Sequence, residues 1–166
     1  MVKNNNNLFI FLAAIYLPVL IIASPDWLEI NGIAPCWPVI WLLPFSLKNR
    51  PWRSAITALF LGIFLDSFTL GDVYYTPSLF LLSIAWSQYG LYNKKIEFFL
   101  NIGLMSIFGT AFVGFSIWVQ KIILYSVLRN SWFHSWSMYV LISEVIITGL
   151  VAPFFCSWIL LVYKKD

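Results

Sequence analysis

The chain has 166 residues, of which 61% are hydrophobic, 19% aromatic and 10% charged, with a formal net charge of +3. An average soluble domain carries roughly 25% charged residues, so ten basic and seven acidic side chains are too few to cover a water-soluble globule of this size. A mean hydropathy of +0.84 makes lipid the expected solvent, and at about 20 residues per crossing the length admits six or seven helices and no separate soluble domain.

Lys3 and the run Asn4 to Asn7 lead into an apolar segment, Leu8 to Ala23, about 24 Å long as a helix at roughly 1.5 Å per residue. Its best cleavage position, after Ala23, has Ile21 where a small residue is needed and is followed by Ser24-Pro25, so an uncleaved first span is expected over residues 8–23. The polar break Ser24 to Gly32 precedes a second run, 34–47, which carries Pro35, Pro38 and Pro44. Prolines remove backbone donors, so this run reads as a kinked span or a re-entrant hairpin. Beyond the basic turn Lys48-Asn49-Arg50-Pro51-Trp52-Arg53, further spans are expected over 54–70, 76–92, 98–120 and 138–163. The stretch 121–137, mixed in polarity and containing Trp132 and Trp136, reads as a short amphipathic segment along the membrane interface.

Charge placement selects among these alternatives. If all six runs cross, Lys3, Lys48, Arg50, Arg53, Lys94, Lys95, Lys164 and Lys165 fall on one side, and Lys121 and Arg129 on the other. Positive charge is retained on the cytoplasmic side, so both termini are expected there. A re-entrant second segment would destroy the asymmetry. Basic residues dispersed in this way set topology and do not form a nucleic-acid patch. The expected architecture is one all-α membrane domain, residues 1–166, folded as a compact bundle of six transmembrane helices. Trp27, Trp37, Trp52, Trp132, Trp136 and Trp158 lie near predicted span ends, where indole rings anchor at the headgroups.

Chemistry-bearing motifs are scarce. Cys36 and Cys156 fall at different depths on this topology, too far apart to pair, and are expected as two free, buried thiols. His134 has no carboxylate or thiol at a ligand spacing, so neither a metal site nor a cofactor is expected. Phosphate-binding loops, zinc-protease helices and nucleophile elbows do not occur in the sequence, and a non-enzymatic role is expected.

Two acids stand inside predicted spans, Asp66 and Glu144. Both lie in the outer half, roughly 7 to 9 Å from the boundary at 1.5 Å per residue, close enough in depth to face each other. A carboxylate in hydrocarbon costs at least a few kcal/mol, so each must be protonated, hydrogen-bonded to Ser or Thr, reached by Lys121, or paired with another subunit. Asp66 ends a stripe of small side chains, Ser54, Ala58 and Gly62. Similar rows are Glu144, Thr148, Ala152 and Cys156, and Ser106, Thr110 and Gly114. Such rows mark close helix approach in lipid, so spans three, five and six are expected to form the tight interior. The bulky rows on the other faces point to lipid or to a partner's helix.

The basic turn at Arg50, the stretch Gly62-Ile63-Phe64-Leu65-Asp66, the following Leu70-Gly71, and Ala152-Pro153 before a short basic tail together resemble the bacterial rod-shape-determining MreD family. The segment Asp72 to Pro77 departs from the small and aliphatic residues usual there. The resemblance implies a non-enzymatic inner-membrane component of the cell-elongation machinery, working with an MreC-like single-span protein, an MreB-like filament and wall-synthesis enzymes. Asp66 and Glu144, as acids within spans, and Gly62 and Gly71, within the resembling stretch, are the candidate partner-contact or interior positions, and the resemblance implies a fold similar to the six-helix substrate-capture subunits of energy-coupling-factor vitamin transporters. Such a capture subunit is the alternative function. Those subunits commonly carry an Ala-x-x-x-Ala row on the first helix, whereas Ala13 and Ala14 here precede Leu17 and Pro18 by four residues.

Overall fold

The computed structural model describes residue 29 and residues 32–68, 73–92, 99–127 and 135–164. Among these residues there are five α-helices and no β-strand: α1 (Trp37–Lys48), α2 (Pro51–Phe68), α3 (Thr76–Tyr92), α4 (Phe99–Val127) and α5 (Ser135–Lys164). The expected first span, 8–23, lies outside the described residues, as do Gly71, Lys94, Lys95 and His134.

Local chemistry explains the helix ends. Pro38 occupies the first turn of α1, where its missing N–H has no helical acceptor to lose. Asn49 stops the helix in an extended conformation, with its backbone N–H and its side-chain amide (2.9 Å) both donating to the Phe45 carbonyl. Pro51 then opens α2, and Ser54 N–H closes its first turn on the Arg50 carbonyl at 3.1 Å. The link from α1 to α2 is therefore a tight reversal.

Every described helix runs against the one before it. Ser87 near the end of α3 donates to the Asn49 carbonyl at 3.1 Å, so α3 lies alongside α1 in the same direction. The Cys36 N–H donates to Thr148 Oγ1 at 2.9 Å, and the Cys156 thiol donates to the Ile40 carbonyl at 3.3 Å, which places α5 parallel to α1 as well. Gly103 against Pro153 and Gly114 against Leu141 set α4 and α5 antiparallel. Lys48, Arg50 and Arg53 are exposed at one end of the bundle, and Lys121 is exposed toward the other.

The middle position belongs to α1. Val39, Leu42, Leu43, Pro44 and Ser46 are all buried. The α2–α3 hairpin packs on one side of it and the α4–α5 hairpin on the other, while α2 touches neither α4 nor α5 among the described residues. The expected interior of spans three, five and six is thus corrected. The stripe Ser54, Ala58, Gly62 faces α3, and the row Thr148, Ala152, Cys156 faces α1. A row of small side chains says that a backbone can be approached, not which helix approaches it.

Three further expectations are revised or resolved. Within the run 34–47, residues from Trp37 onward form one helix, Trp37–Lys48, without reversal, so no hairpin lies within it. Of the expected interfacial segment 121–137, residues 121–127 continue α4 and residues 135–137 begin α5; residues 128–134, with Trp132, lie outside the described residues. Both cysteines are free and buried, as depth had indicated.

The tightest approach of α1 and α3 is at Gly90. A Cβ there would lie 2.6 Å from the Leu47 carbonyl oxygen and 3.0 Å from its Cα, both backbone atoms that cannot swing aside. Gly90→Ala is expected to force the two helices apart and to lower stability by about 2 kcal/mol. A shift in the unfolding midpoint of the detergent-solubilised protein measures this, and an unchanged midpoint would show that the two helices approach less closely.

Two helices are long and apolar enough to cross a membrane, Leu100–Ile123 in α4 and Met138–Leu160 in α5. Only 33% and 28% of these stretches are buried inside the protein, with Phe108, Phe115, Ile146, Leu150 and Phe154 turned outward.

Candidate functional site

Polar side chains, Asp66 and Gln120 among them, gather at the end of the bundle opposite the exposed basic cluster. Gly62 makes the first half possible. A Cβ at this position would lie 2.6 Å from Thr76 Cα, so only glycine lets α2 pass this close to the first turn of α3. One turn later Asp66 is brought beneath the start of that helix. Its Oδ1 accepts the Tyr75 N–H at 2.6 Å, and its Oδ2 accepts the Thr76 N–H at 3.2 Å and the Thr76 hydroxyl at 2.5 Å. The first N–H groups of a helix have no partner of their own, and the helix dipole favours an anion there. Asp66 serves both needs from a neighbouring helix.

The same short segment is fixed from α4. The Gln120 side chain accepts the Tyr74 N–H at Oε1 (2.8 Å) and donates from Nε2 to the Tyr74 carbonyl (2.9 Å). Residues 74–76 are thus held by two side chains, one from each hairpin.

Glu144 takes part in a second helix start. The Cys36 N–H at the beginning of α1 donates to Thr148 Oγ1, and that hydroxyl donates to the Glu144 carbonyl at 2.7 Å. The Asp66 side chain supports the start of α3, whereas at the start of α1 it is the Thr148 hydroxyl and the Glu144 backbone carbonyl that take part. Tyr75 neighbours both acids. Burial first, and then the neighbouring Cys36, Glu144 and Asp66 groups, push its phenol up to about 12, so it remains a neutral hydroxyl at ordinary pH.

Of the alternatives open for Asp66, hydrogen bonding to a threonine is realised, reinforced by two backbone donors. Gly62 is a packing position beside it. Lys48, Arg50 and Arg53 are remote from this cluster, at the opposite end of the bundle. Sequence reasoning missed Tyr75, Thr76 and Gln120 as members. Thr76-Pro77 is a readable helix start, and Gln120 is the only amide side chain in the run from Ile102 to Val127, yet neither residue announces its partner.

In chemical terms the cluster is a set of donors and acceptors that satisfy one another. It joins α2 to α3, α4 to the segment preceding α3, and α5 to α1. No protein-family model matches the chain, and no curated protein and no solved structure matches it.

Proposed function

We propose that the chain is a multi-pass protein of the bacterial inner membrane that acts as a non-enzymatic scaffold of the cell-elongation machinery, in the manner of the MreD family it resembles. It would link an MreC-like single-span protein, an MreB-like filament and wall-synthesis enzymes. The membrane part of this reading is supported by two long apolar helices with bulky residues turned outward. The alternating helix directions also fit serial crossing, and a crossing by 8–23 would place both termini on the side of Lys48, Arg50 and Arg53, the cytoplasmic side by charge.

The observation that carries the scaffold reading is the use made of Asp66. Its carboxylate holds the start of a neighbouring helix inside the protein, so this acid serves architecture and leaves the outer faces for lipid and partners. Depletion in the native host should round the cells and disperse wall insertion. Co-purification from native membranes should recover wall-synthesis and cytoskeletal partners. Unchanged shape on depletion would sink the proposal, and recovery of an ATPase module with saturable vitamin binding would replace it with a capture subunit.

A further inference from the structure

We propose that the start of α2 is a binding site for one anionic phospholipid, with the headgroup phosphate between Arg50 and Arg53 and an acyl chain along Trp52, Ile56, Phe60 and Ile63. The inference rests on the placement of the chain in a bilayer, and adds to it a lipid of defined charge at a defined place.

The basic half of the site is built by the tight reversal after α1. Arg50 precedes Pro51, and Arg53 follows three residues later; both side chains are exposed. The described acids do not offset them, because Asp66 and Glu144 belong to the far end and Glu29 precedes α1. A phosphodiester supplies a complementary negative charge, and arginine matches phosphate oxygens through paired N–H donors.

The apolar half follows directly. Trp52, Ile56, Phe60 and Ile63 recur at the spacing of one helix face, and all are exposed, with Trp52 at 76% and Phe60 at 74%. This face is open because α2 packs only on α3 and α1 among the described helices. An indole at the headgroup level with an acyl-length apolar row below it and two arginines above it is the complement of an amphiphile with an anionic head. Topology alone requires the charge, but neither the spacing of the arginines nor the continuous row beneath them.

The test uses the purified full-length chain in detergent, where orientation in a membrane no longer matters, offered phosphatidylglycerol and phosphatidylcholine in competition and read by native mass spectrometry. The wild type should retain phosphatidylglycerol preferentially. Arg50→Gln with Arg53→Gln should lower that preference by roughly 25-fold, about fivefold for each basic residue at the membrane surface. Arg50→Lys with Arg53→Lys should keep a large part of it, while Lys121→Gln, exposed toward the other end, should change it by less than about twofold. Equal retention of the two lipids, an unaffected double glutamine variant, an equal loss in Lys121→Gln, or displacement of the lipid by inorganic phosphate alone would each overturn the site. Flotation with pure phosphatidylcholine vesicles separates the two levels of the argument. A chain that floats without preferring the anionic lipid loses only the site, whereas one that does not float loses the bilayer placement.

Discussion

Asp66→Ala is expected to destabilise the detergent-solubilised protein by about 3 kcal/mol, the largest effect of any single side-chain truncation at the polar end. The substitution leaves the Tyr75 N–H, the Thr76 N–H and the Thr76 hydroxyl without their acceptor. Each orphaned donor costs about 1 to 3 kcal/mol when water cannot replace the partner, and the half-buried position of Asp66 lets water recover part of the total. Asp66→Asn keeps the shape and one acceptor oxygen but loses the charge that favours a helix start, so about half the loss is expected. Equilibrium unfolding in mixed micelles gives the stability, and hydrogen exchange at Tyr75 and Thr76 gives the location. If Asp66→Ala unfolds with the wild-type midpoint and leaves both amides protected, the support of α3 by this carboxylate is wrong.

The second large effect concerns α1, where a proline and a cysteine from distant parts of the chain compensate each other. Pro44 has no N–H, so the Ile40 carbonyl, four residues earlier, lacks its helical donor. The Cys156 thiol supplies one, at 3.3 Å, from α5. Both residues are buried, and an unsatisfied carbonyl in such surroundings costs about 1 to 3 kcal/mol. Cys156→Ala should therefore cost about 2.5 kcal/mol, the orphaned carbonyl and the lost volume together, whereas Cys156→Ser should stay near wild type. In a Pro44→Ala background the restored N–H satisfies Ile40, and the same Cys156→Ala change should cost only about 1 kcal/mol. A double-mutant cycle reads the difference. An equal cost in both backgrounds would show that the thiol acts by packing alone.

The boundaries of α3 are readable because Thr76-Pro77 opens it and Asn93-Lys94-Lys95 follows it, and they coincide with Thr76–Tyr92. The ends of α4 and α5 are less so, since residues 121–127 carry no breaker and their mixed polarity resembles an interfacial segment. The central place of α1 is not readable at all. Hydrophobicity does not sort inside from outside in a chain this apolar: Leu42 at 0% exposure and Phe108 at 71% are equally apolar in sequence.

The site shows the same division. Asp66 and Glu144 stand out as acids in apolar runs, and Gly62 as a small residue one turn before an acid. The partner of Asp66 is the helix start at Tyr75 and Thr76, and a sequence displays a helix start without showing which side chain will reach it. The Cys156 to Ile40 bond follows the same rule: Pro44 announces an unsatisfied carbonyl, and only the fold reveals that the donor is 116 residues away.

That separation bears on the order in which the protein is made. The ribosome delivers α1 long before α5, so the Ile40 carbonyl and the Cys36 N–H both wait for groups that emerge 116 and 112 residues later. A nascent chain stopped before Ser135 would carry its innermost helix with two polar groups unsatisfied. Arrival of α5 closes both at once, which makes delivery of this helix, and not formation of the early ones, the event that commits the described helices to their packing.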